Sequence, residues 1–131
     1  MFATARKDLV LKALRCEEVE RIPWVPFTGV HCAKLLDMDA ETFLRSPENI
    51  VKGVKLAAEK YLADGVCSVF DLQIEAEALG CGLKWSKNNP PAVATHILET
   101  KELDELPEFT KESGRIADAL KTTKMLKEET G

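Results

Sequence analysis

The sequence has 131 residues, of which 45% are hydrophobic and 31% charged, and its formal net charge is -4 at pH 7. This length suits one domain with a buried core, and the acidic balance, with lysines mixed among acids, argues against a nucleic-acid-binding protein. No run approaches the roughly 18 apolar residues of a membrane span, and residues 1–21 lack the apolar core and cleavage site of a secretory signal. We therefore expect a cytoplasmic protein that binds neither nucleic acid nor membrane, with reduced thiols.

The first half of the chain predicts several helices and one strand. Residues 3–16 carry apolar side chains at helical spacing and predict a first helix. The apolar stretch "IPWVPF" (22–27) predicts a buried parallel strand, although its two prolines weaken the prediction. Short helices are expected in "VHCAKLLDM" and in "DAETFLRS", which Asp39 can cap. The strongest helix prediction is "SPENIVKGVKLAAEKYLA", with Ser46 at the N-cap and Pro47 at the first helical position.

The second half begins with "DGVCSVF" (64–70), which predicts a second buried strand. The order strand, helices, strand indicates a βαβ unit with a parallel strand pair. A short helix in "IEAEALG" is expected to end at Gly80. Two short strands follow in "CGLKWS" and "AVATHIL", then a short helix in "KELDEL", and the amphipathic stretch "GRIADALKTTKMLKEETG" predicts a final helix.

Two parallel strands cannot complete a sheet, because their apolar edges need neighbouring strands and covering helices. The predicted fold class is therefore α/β. Residues 1–131 would form a single N-terminal segment of a (β/α)8 TIM-type barrel, incomplete in this sequence and helix-rich, with about two parallel core strands. Such a segment would be completed by further chain, by other copies of itself, or by another protein.

The candidate site residues follow the two predicted strands, because barrel active sites lie at the C-terminal ends of strands. Asp71, at the end of the second strand, is a candidate catalytic residue; the alternative is a cap for the next helix. Glu75 and Glu77 do not share a helix face, so we expect one to face the barrel mouth and the other solvent. Glu75 is a candidate catalytic residue and Glu77 a candidate substrate-binding residue, with plain solvation as the alternative. His31 follows the first strand and is a candidate substrate-binding residue. Arg21 lies at the opposite, stabilising end of that strand and is expected to be structural.

The four cysteines are separated by 16, 35 and 14 positions, spacings that match no compact zinc motif. No metal ligand is therefore assigned in this sequence. His31 and Cys32 are adjacent, and neighbouring residues on a helix rarely bind one ion.

Three segments together resemble the uroporphyrinogen decarboxylase superfamily. "LKALRCEEVERIPWVPF" resembles its opening, in which a helix leads through an acidic E-x-x-D/E-R-I-P turn into the first barrel strand. "SPENIVKGVKLAAEKYLADGV" resembles the next helix and strand. "FDLQIEAEALGCGLKW" resembles the family segment D-x-x-x-E-A-E-A-L-G and is the most specific of the three. The resemblance extends through "PPAVATHIL" and implies the barrel fold.

The family has two branches, and they differ just after the first strand. The decarboxylases carry an arginine-rich R-Q-A-G-R-Y segment there, whereas this sequence has "TGVHCAK" and lacks arginines that would grip porphyrinogen carboxylates. The cobalamin-dependent methyltransferases use zinc to activate a thiol and take a methyl group from methylcobalamin on a separate corrinoid protein. Their zinc ligands, a His-x-Cys and a later Cys, lie in the second half of the barrel, beyond this sequence. The sequence resembles the methyltransferase branch more closely.

The resemblance implies that this is the N-terminal part of a corrinoid-dependent methyltransferase with a thiol or folate acceptor. Methylcobalamin and zinc would belong to the complete enzyme and its corrinoid partner protein. No cofactor is assigned to this chain, which is expected to be inactive alone. Two alternatives remain open. One is a uroporphyrinogen decarboxylase of porphyrin biosynthesis, in which the aspartate aligned with Asp71 faces the substrate pyrroles. The other is a truncated, non-catalytic module that binds a partner or self-associates.

Overall fold

The structure is a computed structural model that describes residues 4–68 and 71–130. Helices dominate, as the sequence predicts. The elements in chain order are α1 (Thr4–Leu14), α2 (His31–Leu35), α3 (Ala40–Leu44), α4 (Pro47–Tyr61), α5 (Ile74–Ala78), β1 (Gly82–Lys84), β2 (Ala92–Thr95), two short 3₁₀ helices (Ile97–Glu99 and Leu103–Glu105) and α6 (Ile116–Thr130).

Local capping chemistry sets the helix starts. The Asp39 carboxylate accepts a hydrogen bond from the backbone N–H of Thr42 at 2.9 Å and begins α3. The Ser46 hydroxyl accepts from the N–H of Asn49 at 3.3 Å, and Pro47 occupies the first position of α4, where its missing N–H costs nothing. Both predicted caps are confirmed.

Helix α4 lies at the centre of the core and packs against α2, α3 and α6. Its apolar face meets the buried side chains of the shorter helices and one leucine of α6. The core cluster consists of Cys32, Ala33, Phe43, Leu44, Ile50, Val51, Val54, Ala57 and Leu126. Two ion pairs of 2.6 Å, Lys55–Glu129 and Lys121–Glu48, join the exposed edges of α4 and α6.

The sheet of the described residues differs from the predicted one. It has two antiparallel strands, β1 and β2, in which Leu83 pairs with Val93 and Lys84 with Ala92. These are the two short strands expected on either side of the loop "KNNPP". The prediction of about two parallel core strands is wrong for the described residues, because neither 22–27 nor 64–68 is a strand. Residues 69–70 of the second predicted strand lie outside the described residues.

The backbone explains why residues 22–27 and 64–68 do not form a hydrogen-bonded strand pair. The two segments run side by side, and the N–H of Asp64 donates to the carbonyl oxygen of Trp24 at 2.9 Å. Pro23 and Pro26 have no N–H to extend such a pairing. The expected burial is also absent from the first segment, where Ile22 is 87% exposed and Phe27 70% exposed. The prediction from apolar composition therefore gave residues 22–27 more strand pairing and more burial than the structure shows.

An ion pair beside this backbone contact fixes the starts of the two segments. Both guanidinium Nη atoms of Arg21 donate to the carboxylate oxygens of Asp64 at 2.7 Å. The backbone N–H of Trp24 donates to the same carboxylate at 2.9 Å. The hydrogen bonds from Arg21 and then Trp24 lower the pKa of Asp64 from 3.8 to about 2. Arg21 thus has a direct structural partner, in agreement with the role predicted for it.

Candidate functional site

An ion cluster joins the segment after residue 70 to the start of α6. The Nη1 of Arg115 donates to Oδ2 of Asp71 at 2.6 Å, and its Nε donates to Oε2 of Glu77 at 2.6 Å. The exposed fraction of the side chain is 0% for Asp71, 8% for Arg115 and 21% for Glu77. One guanidinium thus faces two carboxyl groups, one fully buried and one partly exposed.

The other oxygen of the Asp71 carboxylate also has a partner. Oδ1 accepts a hydrogen bond from the backbone N–H of Gln73 at 2.9 Å. The residue therefore supports the turn that leads into α5, which is the capping alternative considered for it, and also pairs with a distant arginine. With both carboxylate oxygens engaged and the side chain fully buried, Asp71 presents no open lone pair to solvent in this structure.

The α6 end of the cluster approaches the α5 backbone closely. Gly114 has a φ of +51°, and a Cβ built on it would lie 3.2 Å from Cα of Ala78. Only glycine combines this backbone conformation with such a close approach at little cost. The next residue is Arg115, whose guanidinium lies 4.8 Å from the ring centre of Trp85; the guanidinium of Arg45 lies 4.1 Å from the same ring. Trp85 thus holds both guanidinium groups through cation–π contacts.

The structure brings together two of the four predicted site residues. Asp71 and Glu77 meet at Arg115. Glu75 lies on the same short helix, α5, with an exposed side chain. His31, at the start of α2, is exposed and shares a hydrogen bond of 2.8 Å between its Nε2 and the Tyr61 hydroxyl. It therefore belongs to a second, separately bonded pair.

The chemistry open to these groups follows from their exposure. Glu75 is the acid of α5 that solvent and a ligand can reach, and it can exchange protons or accept hydrogen bonds. Glu77 is partly open and already holds Arg115. His31 and Tyr61 combine an imidazole with a phenol, a pair able to donate or accept hydrogen bonds at neutral pH.

The cysteine thiols of the described residues do not form a metal site. Within residues 4–68 and 71–130, no group of three His, Cys, Asp or Glu side chains is placed to hold a metal ion. The Cys32 thiol is buried and donates to the Thr28 hydroxyl at 3.1 Å, and burial raises the pKa of this thiol. A thiol-activating zinc of the kind that the family resemblance implies therefore does not fit the donor set of the described residues. In the same part of the chain, no helix is long and apolar enough to cross a membrane.

Sequence reasoning did not identify Arg115 or Tyr61 as partners of the candidate site residues. The sequence carried only a weak signal for Arg115. Cations are slightly disfavoured at the N-terminal end of a helix, so an arginine directly before α6 is unusual there. Its partners Asp71 and Glu77 lie 44 and 38 positions earlier in the sequence, and no local pattern identifies them.

Two curated proteins and one solved structure that are similar to this chain are all named as methyltransferases. The chain is 29% identical over 130 residues to methylcobamide:CoM methyltransferase MtbA of Methanosarcina mazei, and 28% identical over 130 residues to the protein of that name from Methanosarcina acetivorans. Each alignment covers 95% of this chain and 38% of the relative, so the chain spans less than half the length of either protein. A solved methyltransferase structure from Methanosarcina mazei superposes on the whole chain with a TM-score of 0.79 and 25% sequence identity, and the chain covers 40% of it.

A protein-family model matches nearly the whole length of this chain. The model of the uroporphyrinogen decarboxylase (URO-D) family matches residues 5–131. The two named relatives are methyltransferases of this superfamily, as the "TGVHCAK" segment led us to expect. This chain therefore belongs to the uroporphyrinogen decarboxylase (URO-D) family and is similar to its methyltransferase branch.

Proposed function

We propose that this chain is the N-terminal part of a corrinoid-dependent methyltransferase. The observation that carries the proposal is the similarity to two methylcobamide:CoM methyltransferases over 95% of the chain. Methylcobalamin carried by a partner protein would supply the methyl group to the sulfur of a thiol or to a nitrogen of a folate. The acceptor would form the new bond to the methyl carbon and give up its own S–H or N–H proton.

The proposed site lies around α5. Glu75 is exposed there and is the proposed catalytic residue that meets the reactants, while Glu77 is partly open and binds substrate. Asp71 acts indirectly, through its ion pair with Arg115, because its carboxylate is buried and cannot meet the reactants. We also assign substrate binding to His31, whose imidazole is exposed. A corrinoid protein is the proposed partner, and a cytoplasmic location remains a prediction from the sequence.

The test is a methyl-transfer assay on the protein expressed from its complete reading frame, sequenced past the Gly131 codon. The purified protein is mixed with methylcobalamin and, in separate reactions, with coenzyme M or tetrahydrofolate. Loss of the methylcobalamin absorbance with stoichiometric formation of the methylated acceptor is the expected result. Absence of methyl transfer to every thiol and folate acceptor would contradict the proposal, and release of carbon dioxide from uroporphyrinogen would establish the decarboxylase alternative.

One observation favours the non-catalytic alternative. Several large apolar side chains are exposed on the segments that precede α2 and α5, namely Ile22, Trp24, Phe27 and Leu72. Large apolar side chains exposed close together along one segment are candidates for contact with a partner protein or with further chain. A binding module predicts that the protein expressed from the complete reading frame associates in solution and neither binds nor demethylates methylcobalamin. Sedimentation velocity and a methylcobalamin titration of the same sample decide between the two readings.

A further inference from the structure

Arg115 bonds to two acids that flank most of α5. Its Nη1 pairs with Asp71, three positions before the helix, and its Nε pairs with Glu77, near the helix end. Glu75 lies between them and contacts neither end of this bridge in the described residues. The direction in which α5 presents Glu75 therefore depends on two ion pairs made by one side chain.

The chain before α6 reinforces this bridge. Gly114 lies close to the backbone of Ala78 and Glu77, so the start of α6 rests directly on the last turn of α5. The stacking of Arg115 on Trp85 restricts the guanidinium further. A five-residue helix makes few internal hydrogen bonds, so these contacts, rather than its own ladder, are what fix its orientation.

The third nitrogen of the Arg115 guanidinium differs from the two that form ion pairs. Its Nη2 is buried and has no hydrogen-bond partner among the described residues. Buried donors are normally satisfied, so this nitrogen has room for a further partner such as a water molecule, an ion or a carbonyl oxygen.

We propose that Arg115 is a positioning residue: by holding Asp71 and Glu77 on either side of Glu75, it sets the direction in which α5 presents the Glu75 carboxylate. This inference rests on the proposed function, in which Glu75 meets the reactants. Arg115 itself need not touch them.

The first test measures α5 directly and needs no activity. Hydrogen exchange is followed in the protein from the complete reading frame for the backbone amides of Glu77, Leu79 and Gly80, which bond within this turn. In Arg115→Met we expect these amides to exchange at least about tenfold faster, with the amides of α4 unchanged. The control is Lys121→Met, which breaks an exposed ion pair between α6 and α4 and should leave α5 unchanged. Unaltered exchange of α5 in Arg115→Met would overturn the proposal.

A milder variant covers the case in which Arg115→Met unfolds the chain. Glu77→Gln removes one of the two bridges and keeps the side-chain shape. It should speed exchange of the same α5 amides while α4 stays protected. Equal acceleration in α4 and α5 would mean that the cluster stabilises the whole fold rather than positioning α5, and would also overturn the inference.

The second test is a double-mutant cycle on the methyl-transfer rate of the protein from the complete reading frame. Arg115→Met should lower kcat by about tenfold or more with a smaller change in KM. In a Glu75→Gln background, Arg115→Met should lower kcat little further, because no Glu75 carboxylate remains to be positioned. Independent, multiplying losses would overturn the inference. An inactive parent protein would instead contradict the proposed function, and the exchange experiment would then decide the role of Arg115.

Discussion

Asp64→Asn tests the ion pair that joins the two extended segments. The side chain of Asp64 is 1% exposed, and it accepts three hydrogen bonds, two from Arg21 and one from the N–H of Trp24. Asparagine keeps the shape of the side chain but removes its charge. Its amide nitrogen also places a donor against a donor of Arg21. The change therefore breaks the bidentate pair without opening a cavity.

The size of the effect follows from the pKa of Asp64, which falls from 3.8 to about 2 in the folded protein. A depression of this size corresponds to at most about 2.4 kcal/mol. The side chain of Arg21 is 51% exposed, so solvent screens the pair and rehydrates the arginine once its partner is lost. We therefore expect Asp64→Asn to lower the free energy of unfolding by about 1–2 kcal/mol at pH 7, less than the 3–5 kcal/mol typical of a fully buried pair.

The pH dependence has a definite sign. Because the folded-state pKa is depressed, the stabilisation is complete above pH 3.8 and is lost as the pH falls towards about 2. Equilibrium urea unfolding of wild type and Asp64→Asn at pH 7, 5 and 3 should therefore give a constant difference at the two higher values and about half of it at pH 3. Asp104→Asn, at an exposed position, is the matched control. A difference between wild type and Asp64→Asn that does not shrink at pH 3 would refute this reasoning.

Three further predictions concern helix packing, and each is checked by urea unfolding at pH 7. Gly53→Ala should destabilise the fold, because the new Cβ would lie 2.7 Å from Cε2 of Phe43. Overpacking of about 1–3 kcal/mol outweighs the roughly 0.5–1 kcal/mol that alanine gains over glycine in a helix, so a stabilised variant would contradict the packing. Ser46→Ala should cost about 1 kcal/mol by removing the α4 cap, and Ser46→Asp should not. Leu126→Ala, in the core, should cost about 2–5 kcal/mol, whereas Leu120→Ala on the exposed face of α6 should cost far less; equal losses would contradict the assigned faces.

The sequence alone determined most of the helical structure, because helix signals are local. Asp39, Ser46 and Pro47 lie within one turn of the groups they cap or replace, so reading a few neighbouring residues is enough. Gly80 adopts a φ of +100° just after α5, as its position at the end of that helix predicts. The family resemblance also came from sequence, through contiguous motifs.

Strand pairing and the site depended on contacts between distant parts of the chain. Residues 22–27 have a strand-like composition, but a ladder needs a partner for each N–H, and their prolines and exposed side chains do not provide it. The pairing of Asp71 and Glu77 with Arg115 joins positions about 40 apart through side chains alone. Sequence spacing identified the two acids, whereas only the tertiary structure decided that a single arginine holds them and leaves Glu75 exposed between them.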